Sequence, residues 1–337
     1  MSKYFNYRIP VALFLIMVFS ICLLPKSANA LTISPTRFEL SGDPGETITQ
    51  EITLFNEGEN TQNYYSSYSN FEAQGESGTP AFVESKDDLD KWMSTYSIVS
   101  IKAGESITVP FTIKIPANAE PGGHFASVFW GTTPSSPRGS VVSVGAKVGL
   151  LILLSVNGET TEAGGLVSFS VVDKQFWHST LPVSLEYRFK NDGGDRVKPT
   201  GTIKIRNTIF LPTRTLDANP SSGNVLPGST RKFSVDWLNY THPEDQSEPT
   251  KAVGKFLYDV KYQWKNFAVG LYSARLNVAY GSQGTHAKDI VFFFVFPWQL
   301  VLVMLLVITI AFFGGRKIIR SYNRSVIKKA QKSFGNQ

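Results

Sequence analysis

Along most of the chain, apolar and polar residues alternate in short runs that end in Gly, Pro or Asn. "LTISPTRFEL", "ETITQEITLFNEG" and "ESITVPFTIKIP" are rich in Thr, Ile, Val and Phe and switch character at every second position. That is the pattern of strands with one buried face. Between Leu31 and Asp289 no sustained helical period is read, and "KDDLDKWMSTY" (86–96) is expected to make at most a couple of turns in a connection. Two long apolar runs break the alternation, one from Val11 to Leu24 and one from Ile290 to Phe313. The second is free of formal charge and reaches the roughly 20 residues that a bilayer-spanning helix needs. The helix is assigned to 294–314. Pro297 suits its first turn, and "DIVFFFVF" just before also reads as the end of a strand.

The flanks of these two runs give them different roles. Lys3 and Arg8 precede the first, and Ala28 and Ala30 follow it at the small positions before a cleavage point, as in a secretory signal peptide spanning 1–30. An uncleaved anchor is the competing reading, disfavoured by the shortness of the apolar part. Cys22, the sole cysteine, follows Ile21 where a lipoprotein signal would have a small residue, which argues against a lipid anchor. The second run is followed by a tail, 315–337, holding Arg316, Lys317, Arg320, Arg324, Lys328, Lys329 and Lys332 and no acid. The excess of positive charge puts that tail in the cytoplasm and the body of the chain outside, with Trp298 at the membrane interface.

Within that body the strand pattern occurs twice. "ITQEITLFNEG", "VSIKAGESITVPFTIKIP" and "PGGHFASVFWG" are echoed in order by "LPVSLEYRFKNDGG", "NVLPGSTRKFSVDWL" and "AVGLYSARLNVAYG". Each triplet runs strand plus N-x-G turn, Gly-led strand, then Gly-opened aromatic strand. The expected fold class is therefore all-β: two tandem immunoglobulin-like β-sandwiches, 31–158 and 166–290, joined by a small polar linker, 159–165, and followed by one transmembrane helix. "THPEDQSEPTKAVGKF" reads as a surface insertion in the second. Pro44-Gly45 and Pro121-Gly122-Gly123 supply sharp turns, Gly145 and Gly149 mark a bulge or close backbone approach, and Leu150–Leu154 reads as a strand buried on both faces.

"ISPTRFEL", "GETITQEITLFNEG", "AGESITVPFTIKIPANAEPGGHFASVFW" and "VGAKVGLLILLSVNG" together resemble the immunoglobulin-like domains of bacterial surface proteins of the WxL-interacting type, whose fold is similar to the N-terminal domain of pilus chaperones. The resemblance covers about residues 31–158 and, with the C-terminal helix, extends loosely to the whole chain. It implies an exported sandwich pair, a membrane helix, a basic tail, and binding to cell-wall material or to secreted or surface partner proteins. The basic pair with which pilus chaperones hold a subunit's C-terminus has no match in this sequence.

Charge and chemistry narrow the function classes. The whole chain has a formal charge of +6, but the basic residues of the two terminal segments account for more than that excess, and all 27 acidic residues lie between them. A mildly acidic exported body offers no footprint for nucleic acid. Without Cys22 the mature chain has no thiol chemistry or disulfide framework. His124, His178, His242 and His286 lack metal-spaced partners, and Asp87, Asp88 and Asp90 lack the alternation and Gly of a calcium loop. No metal, cofactor or catalytic residue is assigned and no enzyme activity is expected. The competing classes are an enzyme or accessory protein acting on envelope polysaccharide, and an assembly factor that pairs exported subunits at a sheet edge.

Aromatics supply the binding candidates. "NYYSSYSNF" interleaves Tyr64, Tyr65, Tyr68 and Phe71 with Ser and Asn, a composition suited to adaptable contacts. "HFASVFWG" is apolar at both alternating positions, so one of its two series faces something other than the core. Tyr64, Tyr65, Tyr68 and Trp130 are the candidate partner-contacting residues; against this, Trp92, Trp130, Trp177, Trp237 and Trp264 are all of a type that usually caps a core.

Overall fold

The computed structural model describes residues 30–83, 88–134, 147–208, 212–238 and 251–334. The signal segment 1–30 lies outside the described residues except for Ala30, and Gly145 and His242 lie outside them altogether. The described chain is mostly strand and divides into two compact units, 1–72 with 81–159, and 73–80 with 160–337.

In the first unit, β1 (Leu31–Ser34), β3 (Thr47–Asn56), β8 (Ser106–Lys114) and β6 (Met93–Ser94) form one sheet in the order β1-β3-β8-β6. The facing sheet has the order β2-β10-β9-β4-β5, built from β2 (Arg37–Gly42), β10 (Lys147–Val156), β9 (Gly122–Gly131), β4 (Gln62–Gln74) and β5 (Thr79–Val83), with β7 (Ile98–Ile101) also on β4. Leu89–Trp92 forms one helical turn, α1. Alternation sends Ile52, Leu54, Val109, Phe111 and Ile113 inward from one sheet and Val128, Trp130, Leu150, Ile152 and Leu154 inward from the other, and these close the core.

The second unit repeats the plan. β11 (Gly164–Val171), β13 (Val183–Asn191) and β16 (Thr230–Trp237) make a three-stranded sheet, and β12 (Trp177–His178), β18 (Thr285–Val295), β17 (Gly270–Tyr280), β14 (Thr200–Asn207) and β15 (Pro212–Asp217) make the other in that order. In both units the first strand pairs in one sheet, the chain crosses over, and the second strand runs parallel to the last strand of the other sheet: β2 with β10, and β12 with β18. The echo in the sequence is thus an echo in topology, and both units are immunoglobulin-like sandwiches.

The repeated N-x-G turns have a shared anchor. Asn56 ends β3, and its Nδ2 donates to the carbonyls of Asn60 and Ile101 at 2.9 and 3.0 Å while its Oδ1 accepts from the Gly58 N–H at 3.0 Å. Asn191 ends β13 and does the same with Asp195, Val225 and Gly193 at 2.7, 2.9 and 2.9 Å. Both side chains are buried, so each amide replaces water for backbone groups that the turn would otherwise strand.

One feature departs from the expectation of strands alone up to Asp289, and the long helix starts later than the 294 assigned to it. Ala252–Lys265 is a 14-residue helix, α2, inside the stretch read as an insertion. At the C-terminus β18 runs to Val295, so the strand reading of "DIVFFFVF" holds and the long helix α3 begins at Trp298 and extends to Phe334. α3 is long and apolar enough to cross a membrane, and its large apolar side chains from Leu302 to Phe313 stand exposed all round. From Trp298 to Gly315 it carries no charge, roughly 27 Å of helix at about 1.5 Å per residue.

Candidate binding surface

The double apolar character of β9 resolves into two faces. Ala126, Val128 and Trp130 point into the core, with Trp130 at 0% exposure, while Phe125, Ser127 and Phe129 take the outward face. Register extends that outward face across three strands. Phe125 lies opposite Leu153 of β10, Ser127 opposite Leu151 and Ser69, and Phe129 opposite Gly149 and Ser67. Phe71 of β4 and Phe82 of β5 complete it: the ring centroids of Phe71 and Phe82 are 6.3 Å apart, of Phe71 and Phe125 6.0 Å, and of Phe82 and Phe129 4.8 Å. These are ordinary separations for edge-on and tilted pairs.

Gly149 explains how Phe129 lies on the sheet. A Cβ at that position would come within 2.7 Å of the Phe129 ring, so only glycine lets the ring rest across β10, as the interrupted apolar run in the sequence anticipates. Lys147, two residues earlier, puts its Nζ 4.3 Å from the centre of the same ring. Ser127 donates to the Leu150 carbonyl at 2.9 Å and Ser69 to the Val83 carbonyl at 3.0 Å, so these hydroxyls hold the scaffold. The most accessible member is Phe82, 47% exposed on a strand whose pairing partner is β4.

The candidate residues of "NYYSSYSNF" fall on both sides of this sheet. Tyr64 is 2% exposed and donates its hydroxyl to Asn56 Oδ1 at 2.9 Å, and burial raises its pKa. Tyr68 also points inward, packs on the core and accepts the Thr95 N–H at 2.9 Å. Tyr65, half-buried, takes the outward face opposite Gly131 and Ile98. The expectation of one Tyr-rich surface is therefore corrected: β4 is an inner strand and its alternation separates Tyr65 from the other two. Tyr64 and Trp130 are core, leaving no surface for a partner to touch. Of the other tryptophans, Trp237 is fully buried and Trp92 half-buried, whereas Trp177 and Trp264 stand largely exposed, against the core reading.

A second polar constellation sits at the start of β9. His124 Nδ1 is 2.6 Å from Asp88 Oδ1, its Nε2 is 2.9 Å from the Glu120 carbonyl, and its ring lies 4.7 Å from that of Trp92. Both ring nitrogens face acceptors, an arrangement that favours the imidazolium. Burial of the ring opposes its charge, but the hydrogen bond to Asp88, helped by Glu120, outweighs that and raises the His124 pKa. Burial likewise works against the Asp88 charge, and the hydrogen bond from His124 brings its pKa below the ordinary value. The raised histidine stabilises the fold fully below its unfolded value near 6.5, and loses that contribution as pH climbs through the folded value. The depressed carboxyl contributes above about 3.8 and loses its share as pH falls through its folded value. The pair is one interaction, present in full between those limits. Unfolding midpoints should accordingly drop as pH rises from 6.5 through the folded His124 value in the native chain, and the drop should shrink in His124→Gln; equal pH slopes would show that the pair contributes nothing. Among the described residues no group of three or more His, Cys, Asp or Glu side chains is placed to hold a metal. The second unit has a polar hollow of about 290 Å³ between Glu162, Asn191, Arg196 and Ser282.

No family model matches this sequence, and no curated protein does. Among solved structures the chain is similar to the class 5 fimbriae chaperone CfaA, at 12% identity and a TM-score of 0.37 over 78% of this chain and 99% of that one. It is also similar to the CsuC-CsuE chaperone–tip adhesion subunit pre-assembly complex of Acinetobacter baumannii, at 15% and 0.33 over 79% and 99%. The E. coli chaperone DraB matches at 9% and 0.34 over 79% and 97%.

Proposed function

We propose that this chain is an exported, single-pass membrane protein that holds two immunoglobulin-like sandwiches outside the cytoplasm and works by binding cell-wall material or a secreted or surface partner protein, not by catalysis. The charge-free, exposed length of α3 followed by a basic, acid-free tail supports the anchoring and its direction. The observation that carries the binding role is the outward face of the β10-β9-β4-β5 sheet, where Phe82 is strongly exposed and Phe125 and Tyr65 are half-buried on the side away from the core, on a base of Phe71 and Phe129 that is itself buried. Accessible aromatic side chains on a sheet face are recurrent recognition contacts. β5 adds a specific reason for a protein partner in an assembly role: its backbone edge beside Phe82 suits an added strand from an extended segment.

Phe82→Ser combined with Tyr65→Ser should weaken capture of isolated cell wall or of a secreted protein by roughly tenfold, the effect of losing about 1.4 kcal/mol at an aromatic contact. The unfolding midpoint should stay nearly constant, because neither side chain closes the core. Capture equal to the native chain on both targets would remove this face as the site, and the target that loses binding identifies the partner class. Protease added to intact cells should remove epitopes within 31–289 and spare one placed after Gln337. Simultaneous loss of both would reverse the orientation.

A further inference from the structure

Helix α2 points its apolar side away from the protein. Val253, Leu257, Val260 and Trp264 recur at the spacing of one helical face, and three of them are strongly exposed: Val253 75%, Leu257 60% and Trp264 66%. Lys261 and Lys265 follow next round the helix, and Lys251 and Lys255 lie beyond them. A soluble surface helix would turn such a stripe inward; this one uses a different side for packing. Phe256, Asp259 and Gln263 meet the first turn of α3: the Phe256 and Trp298 rings are 6.3 Å apart, Gln299 Nε2 donates to Asp259 at 3.4 Å, and Gln263 Oε1 accepts the Leu300 N–H at 2.9 Å.

These contacts set the direction of α2. From Phe256 to Gln263 the helix advances about 10 Å, while these three contacts fall on residues 298–300, which span only about 3 Å of α3. The two axes therefore cross steeply. With α3 along the bilayer normal, α2 lies close to the plane of the membrane at the level where α3 enters it. The same end of the second sandwich exposes Trp177, whose ring packs 4.7 Å from that of Phe294, together with Phe296 and Trp298. Indoles and phenyl rings beside flanking lysines fit the headgroup region, where one end of a side chain is apolar and the other wet.

We infer that α2 is an interfacial helix. It lies on the outer leaflet beside the root of α3, with Val253, Leu257, Val260 and Trp264 in the acyl boundary and its lysines at the phosphates of anionic phospholipid. It fixes the tilt of the second sandwich over the membrane, and Trp177, Phe296 and Trp298 form the rest of the collar. The occupant is the bilayer because the stripe is continuous with the helix that enters it and is bordered by cations. The inference rests on the membrane-anchored reading above.

The test uses the full chain in a Cys22→Ser background, reconstituted in vesicles of phosphatidylcholine and phosphatidylglycerol. A nitroxide is attached singly at Val253→Cys, Leu257→Cys, Lys255→Cys, Leu305→Cys or Gln283→Cys. Labels at 253 and 257 should be reached by oxygen and shielded from a water-soluble nickel chelate, several-fold more so than labels at 255 and 283, while 305 reports the bilayer interior. If 305 is in lipid but 253 and 257 meet the nickel chelate as freely as 255, the interfacial helix is wrong and the anchor stands. If 305 itself is in water, the anchored reading fails and the inference with it. Shielding of 257 from both reagents with spin–spin broadening would show a second copy covering the stripe, which also overturns it.

Discussion

Asn56→Ala should be among the most destabilising single changes in the first sandwich, although it removes only a small amide. The buried side chain serves the carbonyls of Asn60 and Ile101, the Gly58 N–H and the Tyr64 hydroxyl at once. Alanine leaves these groups without their partner in a place where Tyr64 and Ile101 are themselves buried. Each stranded buried group costs about 1–3 kcal/mol, so a loss of about 3 kcal/mol or more is expected. In urea, where a domain this size has a slope of about 1–3 kcal/mol per molar, the first transition should move down by roughly 2 M. Asn191→Ala removes the matching corner in the second sandwich but lacks the tyrosine contact, so its effect should be smaller by about one hydrogen bond, or about 1 kcal/mol. Tyr64→Phe should reproduce only that difference. A midpoint for Asn56→Ala within 0.5 kcal/mol of native, on the scale of an ordinary surface change (about 0.5 kcal/mol), would mean that the corner does not hold the turn.

The Asn corners also show why much of the fold was legible. A strand that alternates, ends in N-x-G and is followed by a Gly-led strand encodes its own pairing partner, and it does so twice in the same order, so architecture follows from local pattern. What local pattern did not reveal was the choice of face. Tyr64, Tyr65 and Tyr68 are near neighbours in sequence, yet the pleat sends the first and third to the core and the second outward. The outward aromatic cluster draws Phe71, Phe82, Phe125 and Phe129 from three strands, and only register brings them together. The period within β9 was the available signal, since a strand apolar at both parities must cover something on each side. His124 and Asp88 are joined across 36 positions with no motif to link them. Helix α2 is hard to read from sequence because its apolar stripe sits beside a stretch of turn-forming residues and Gly254 lies within it, although Val253, Leu257, Val260 and Trp264 do keep helical spacing.

Trp130 gives the sharpest separation between core and surface. Its ring is wholly buried between the two sheets, flanked in register by Ser66 of β4 and Val148 of β10, and its indole N–H has no acceptor among the described residues. Its contribution is therefore packing alone. Trp130→Ala should cost about 3–5 kcal/mol through lost burial and the cavity left behind. Against a typical stability of about 5–15 kcal/mol, that is enough to leave the first sandwich marginal at physiological temperature. Trp130→Phe keeps most of the apolar volume and forfeits no hydrogen bond, so it should recover more than half of the loss. Denaturant midpoints for the two variants, read beside capture by the Phe82→Ser and Tyr65→Ser chain, set the two roles apart. A core tryptophan lowers stability and leaves the affinity of the folded fraction intact, whereas the outward aromatics do the reverse. If Trp130→Ala kept the native midpoint and abolished capture, the inward assignment of the Ala126–Val128–Trp130 series would fail. The binding surface would then lie on the opposite face of β9 from the one that carries Phe125 and Phe129.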